Sequence, residues 1–139
     1  MDGIFFDEAT ASTSSAAYTY MQNASSYAYD TLPSSITPVI FNPGVPAPIN
    51  YFSIADTIVE FEGLYTAYKN QTTINTIPSG YKGQSAIVVH DAPSGNPPAL
   101  ASLIHNIVRN GVGGVYFTND TSYQALGLLG TVAADVAKG

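Results

Sequence analysis

Five short apolar runs punctuate this chain, and each gives way to polar or acidic residues. They are Ile4-Phe5-Phe6 before Asp7-Glu8, Val39-Ile40-Phe41 before Asn42, and Thr57 to Phe61 before Glu62. The last two are Ser85 to Val89 before His90-Asp91, and Gly114 to Thr118 before Asn119-Asp120. Their β-branched and aromatic residues, bounded by Gly, Pro, Asn or Asp, predict strands over 4–7, 38–42, 57–61, 85–90 and 114–118. Runs such as Ile4-Phe5-Phe6, with no polar residue inside, suit strands covered on both faces, as in a parallel sheet.

Helical spacing fills the intervals. Ala17, Tyr20, Met21, Ala24, Tyr27 and Ala28 recur at i, i+3 and i+4 behind the capping candidates Ser14 and Ser15. Leu100, Leu103, Ile104, Ile107 and Val108 form the cleanest stripe, with Pro97-Pro98 before it and Gly111 after it. A shorter helix is expected around Gly63 to Asn70, and a terminal one from about Ser122 to Lys138. Pro43, Pro46 and Pro48 leave little room for a full helix between the second and third strands.

Alternating strands and helices imply βα units and a parallel sheet. Five units are fewer than a (β/α)₈ barrel needs, so two architectures compete: an open five-stranded sheet, or the C-terminal five units of a TIM barrel. An open doubly wound sheet gathers ligands at one switch point, whereas barrel strands all end at one mouth. Polar residues at every strand end favour the incomplete barrel, with residues 1–139 as one partial domain. Two unpaired strand edges would then invite self-association.

Composition narrows the function classes. Ten acids against four bases give a formal charge of −6, which argues against nucleic acid and against an anionic membrane surface. No cysteine is present, which excludes a thiol nucleophile and thiolate metal sites. No stretch reaches the roughly 18 apolar residues of a membrane span. Strand-like sequence begins directly after Met1, leaving no secretory signal in this chain. No cofactor is expected. Gly111-Val112-Gly113-Gly114 lacks the spacing of a nucleotide loop and precedes a strand.

What remains is acid/base chemistry, with glycoside hydrolysis the first expectation, because it needs two carboxyl groups flanking the scissile bond. Asp7 and Glu62 crown two strands. Strand alternation puts Phe5 and Asp7 on one face and Ile4, Phe6 and Glu8 on the other, so Glu8 needs a bend to join Asp7. Asp7 is read as nucleophile or charge stabiliser, Glu62 as acid/base and Glu8 as support. The competing explanation is that Asp7 or Glu8 merely caps a helix. Glu60 shares a face with Glu62 by the same alternation, either buried with a raised pKa or solvated in an open barrel. Asn42, Tyr51, His90, Tyr116 and Asp120 are candidate sugar contacts, and Tyr65 a candidate stacking surface. An oxygen-rich metal site from Asp7, Glu62, His90 and Asp120 has no supporting motif. His105 falls on the polar face of its helix and is expected to be solvated.

These motifs resemble spherulation-specific family 4, the spherulin type. The match rests on Gly3 to Glu8, Phe41-Asn42-Pro43-Gly44, Tyr51, Ala55-Asp56 leading to Phe61-Glu62, Ala86 to His90, and Gly114 to Thr118 in order. The resemblance implies a TIM-barrel glycosidase related to secreted endo-α-1,4-galactosaminidases, retaining in outcome and acting on an amino-sugar polysaccharide. A partly deacetylated galactosamine polymer is cationic and suits an acidic mouth. The resemblance also implies that three βα units precede Met1, and that the complete form is extracellular or in the cell wall. Where family members end in a Leu-Pro-aromatic segment, Tyr123-Gln124-Ala125-Leu126 here runs into a Gly/Ala-rich tail. The alternatives to an enzyme are a non-catalytic spore or cell-wall protein that binds glycan, and an inactive fragment.

Overall fold

All five predicted strands form in a computed structural model that describes residues 3–32, 38–68, 70–95, 97–121 and 128–137. They are β1 (Ile4–Asp7), β2 (Val39–Asn42), β3 (Thr57–Leu64), β4 (Ser85–His90) and β5 (Gly114–Phe117). Every pairing is parallel, and the order across the sheet is the order along the chain. That winding is a barrel's, since a doubly wound sheet reverses direction part-way. Among the described residues β1 pairs only with β2, and β5 only with β4, so the sheet is an open arc.

The arc is curled. One cleft of about 380 Å³ is lined by Phe5, Asp7, Asn42, Glu62, Val88 and Tyr116, which come from all five strands. A flat sheet would spread those residues over four strand spacings of about 4.8 Å each.

Helices cover the other face. In α1 (Ser15–Thr31), Ser14 Oγ accepts a hydrogen bond from the Ala17 amide at 3.2 Å, the cap that its position predicts. The stripe of α3 (Pro98–Arg109) buries Leu100, Ile104 and Ile107 completely against Ile87 and Val89 of β4. A second apolar cluster joins Met21 of α1 to Val39, Phe41, Tyr51, Phe52 and Ile58. Asp56 ties the start of this half together: its Oδ2 accepts from the Val39 amide at 2.8 Å and the Tyr29 hydroxyl at 2.7 Å. Burial, then the Asp56 carboxylate, pushes the Tyr29 phenol up to about 12.

One helical expectation changes. The segment from Gly63 is not yet helix: β3 runs through Gly63 and Leu64, whose partners are Val89 and His90, and α2 covers Asn70–Thr76. The long β4 supplies ladder partners that the sequence around Gly63 does not advertise. The terminal helix, α4, spans Leu129–Val136, while 122–127, including Tyr123 to Leu126, lie outside the described residues. Between β2 and β3 there is only a 3₁₀ turn, Ile49–Ser53, beyond the prolines.

His105 is not simply solvated. Its Nε2 lies 3.9 Å from Oδ1 of Asp135, a carboxylate only 2 % exposed, because α4 packs along α3. Gly113 has a packing reason: its amide donates to the Lys82 carbonyl at 2.9 Å, and a Cβ there would collide with the Gly83 carbonyl oxygen.

Candidate active site

Three adjoining strand ends bring Asp7, Asn42 and Glu62 together. Asp7 lies beside Asn42 in the β1–β2 register. On β1, Ile4 and Phe6 pack toward the helices, leaving Phe5 and Asp7 on the concave face, as the alternation predicts. Glu62 reaches the same face through an irregularity. Val59 pairs with Ala86 and Phe61 with Ile87, so Glu60 is an extra residue in a β-bulge. Beyond it Phe61 packs into the helix-side core, and Glu62, opposite Val88, joins the cleft.

Asn42 is the link. It is 5 % exposed, and its Nδ2 donates to Asp7 Oδ1 at 2.9 Å and, more tightly, to Glu62 Oε2. The donor end has to face this way, because a reversed amide would set Oδ1 against two acidic groups. One NH₂ group serving both oxygens also sets their spacing. Two oxygens bound to one nitrogen lie at most about two hydrogen-bond lengths apart, roughly 6 Å. The sequence suggests a sugar contact for Asn42; the structure commits its donors to the carboxylates instead. Its buried Oδ1 has no hydrogen-bond partner among the described residues.

Loops lock this arrangement from above. The Ala9 amide donates to the Asn42 carbonyl at 3.0 Å, and the Glu62 amide to the Gly44 carbonyl at 3.1 Å. Gly44 has φ +65°, and a Cβ there would sit 3.4 Å from Glu62 Cβ, so a bare turn passes over the acid. Glu8 supplies the bend that strand alternation requires, with φ +51°. A non-glycine residue in that region costs on the order of 1–3 kcal/mol and persists where surrounding structure enforces it. Asp7, Glu8 and Glu62 consequently line one cleft of about 300 Å³ with Asn42, Pro43, Gly44 and Val45.

The remaining candidates divide. Tyr116 and Val88 wall the cleft beside Phe5. Tyr51 does not belong to it: at 1 % exposure it is core, edge-on to Tyr18 with ring centroids 5.5 Å apart, and its hydroxyl donates to the Ser12 carbonyl at 2.9 Å. Tyr65 is partly buried against the helix-side core. His90 ends β4 with Nδ1 3.0 Å from Asp91 Oδ2, and Asp91, like Glu8, has positive φ, +54°. Asp120 is half-buried beyond β5, its amide donating to Thr118 Oγ1 at 3.1 Å. Among the described residues no group of three His, Asp or Glu side chains is arranged so that it could hold a metal ion.

For Glu60 the buried reading holds. As the inserted residue of the bulge it has no ladder partner, and it is buried completely, with Oε1 accepting from the Ala47 amide at 3.4 Å. Burial pushes its carboxyl up to about 7 from 4.5, with the Ala47 hydrogen bond opposing in part. The solvated alternative does not hold. The Glu60-Phe61-Glu62 triplet carries the signal in hindsight, since in a regular strand it would send two acids to one face and Phe61 to the other.

A family model described as spherulation-specific family 4 matches residues 1–133. The chain belongs to spherulation-specific family 4. Among relatives of this family-4 chain is spherulin-4 of Physarum polycephalum, 29% identical over 126 residues. That match covers 86% of this chain and 36% of spherulin-4. A crystal structure of Aspergillus clavatus Sph3 in complex with GalNAc is also similar, with TM-score 0.81 and 26% sequence identity. The likeness covers 98% of this chain and 56% of Sph3. The chain thus spans about a third of one relative and somewhat over half of the other, and its five parallel strands with their helices are an incomplete TIM barrel.

Proposed function

We propose that this chain carries the catalytic wall of a retaining glycoside hydrolase acting on a galactosamine-containing polysaccharide. The observation behind this reading is the Asn42 bridge, which holds Asp7 and Glu62 at hydrogen-bonding range of one amide nitrogen. Retaining enzymes space their carboxyl groups by about 5–5.5 Å, whereas inverting ones leave roughly 6.5–9.5 Å for a water. Two oxygens on one amide nitrogen, at most roughly 6 Å apart, favour the first.

In this mechanism Glu62, as the acid, gives its proton to the glycosidic oxygen while an Asp7 oxygen attacks the anomeric carbon. The carbon–oxygen bond to the leaving sugar breaks and a glycosyl ester on Asp7 forms. Water then adds at the same carbon, Glu62 takes its proton, and Asp7 is released. Asn42 occupies Glu62 Oε2 and Asp7 Oδ1, so Glu62 Oε1 and Asp7 Oδ2 are the oxygens left to react. Glu8 adds a third carboxylate at the mouth, suited to an amino or hydroxyl group of the sugar. The GalNAc bound to Sph3 supports an amino sugar, and the acidic surplus favours a cationic polymer. On the same reading the complete form acts outside the cell.

The test compares the protein with Asp7→Asn and Glu62→Gln on a galactosamine-containing polymer. Turnover is expected to fall at least ~100-fold in both, with the first product released by the parent keeping the substrate's anomeric configuration in NMR. Undiminished polymer binding with no turnover in any form would replace this reading with a glycan-binding role.

A further inference from the structure

The mechanism leaves one buried carboxyl group unused. Glu60 is 0 % exposed and is the inserted residue of the β3 bulge, two positions before the proposed acid. Its Oε1 meets the Ala47 amide, and its Oε2 has no hydrogen-bond partner among the described residues. A buried carboxyl group costs free energy, so its retention in the strand core calls for a compensating role.

The segment it touches crosses Glu62. In residues 43–48, Pro43, Pro46 and Pro48 have no amide hydrogen, which leaves Gly44, Val45 and Ala47 as the backbone donors. Ala47 is only 7 % exposed, and its N–H would be orphaned without Glu60. Three residues earlier, the Gly44 carbonyl receives the Glu62 amide at 3.1 Å. Two residues of β3, Glu60 and Glu62, therefore grip one stiff loop at both of its ends.

We propose that Glu60 is a positioning residue for Glu62, acting through Ala47 and the 43–48 loop. The bulge lets one strand do two things: Glu60 turns to the loop while Glu62 keeps its place in the cleft. Deletion of Glu60 would restore a regular strand that still presents Glu62, so the extra residue serves the loop. The consequence for turnover rests on the hydrolase reading above; the consequence for the loop does not.

Backbone hydrogen exchange and kinetics on Glu60→Gln and Glu60→Leu separate these. Gln keeps a carbonyl oxygen for Ala47, so exchange at Ala47 and Glu62 should stay within about twofold of the parent. Leu removes the acceptor, and exchange at those amides should rise at least ~10-fold while the α3 amides are unchanged. On polymer, Leu should lower kcat at least ~10-fold with KM within about twofold, and Gln should restore most of it. Should Glu60→Leu not fold, Glu60→Met, unbranched and of similar length, is read in the same way. Loop exchange unchanged in the apolar variant, or raised equally by Gln, would overturn the proposal. A parent without turnover would remove the hydrolase reading and leave the exchange comparison to decide this one.

Discussion

Around α3, β4 and β5, the interior is a stack of apolar side chains: Ile87, Val89, Leu100, Ile104 and Ile107 are all fully buried. Two polar groups buried there are served close by in sequence, with Ser85 Oγ donating to the Tyr81 carbonyl and Thr118 Oγ1 accepting from the Asp120 amide, while Asp135 of α4 lies against His105 of α3. Around β2 and β3 the depth is similar but the chemistry differs. Asn42 and Glu60 lie there, held by partners distant in the chain, and each leaves one buried oxygen without a hydrogen bond among the described residues. Positive φ at Glu8 and Gly44 and the bulge at Glu60 fall in the same region. One half is built for packing. The other accepts unfavourable burial to hold three carboxyl groups at one mouth.

Mutations should separate the halves. The largest effect on stability is expected from Ile104→Ala in the apolar half, about 2–5 kcal/mol in urea unfolding. Turnover per folded molecule should hardly change, and a large drop would show that the halves are not separable. Next comes Glu60. Between pH 4.5 and about 7 the folded chain keeps a proton on this carboxyl that the unfolded chain has released. Stability should therefore fall by roughly 3 kcal/mol as pH rises through that window and level off above it. Unfolding at pH 5 and pH 8, with Glu60→Gln removing the difference, checks this.

Asn42→Ala should cost about 1–2 kcal/mol of stability, a modest loss from the polar half. Its effect on turnover should be much larger, on the order of 100-fold, because the two reacting carboxyl groups lose their common anchor. Equal retention of activity would remove Asn42 from the site. Phe5→Ser is expected to change stability by less than about 0.5 kcal/mol, since Phe5 is 53 % exposed on the concave face. A large stability loss would mean that this face is covered in solution.

Strand positions were legible because Ile, Val and Phe runs bounded by Gly, Pro and Asn carry a local signal. The α3 stripe was legible for the same reason. The concave placement of Asp7 followed from period-two alternation, and so did the need for a bend at Glu8, which the structure meets with φ +51°. Alternation then failed at Glu60, because a bulge is decided by what the neighbouring strand and loop require. It also says nothing about depth: Tyr51 and Tyr116 read alike as exposed aromatic candidates, yet one is core and one lines the cleft. His105 met Asp135 for a similar reason, since helix-to-helix packing joins residues that no local pattern relates.

By itself, the sequence determined the five strands, most of the helices between them and the acids at the strand ends, which follow from local periodicity, while the incomplete barrel followed from those polar strand ends and the family resemblance. Only the tertiary structure decided that Asn42 bridges Asp7 and Glu62, that Glu60 turns to Ala47, and that Gly44 passes over the acid. These contacts join residues 13 to 35 positions apart, and one hydrogen bond of fixed length leaves them little freedom. Proximity of that kind is set by how strands stack and loops fold back, which a one-dimensional pattern does not encode.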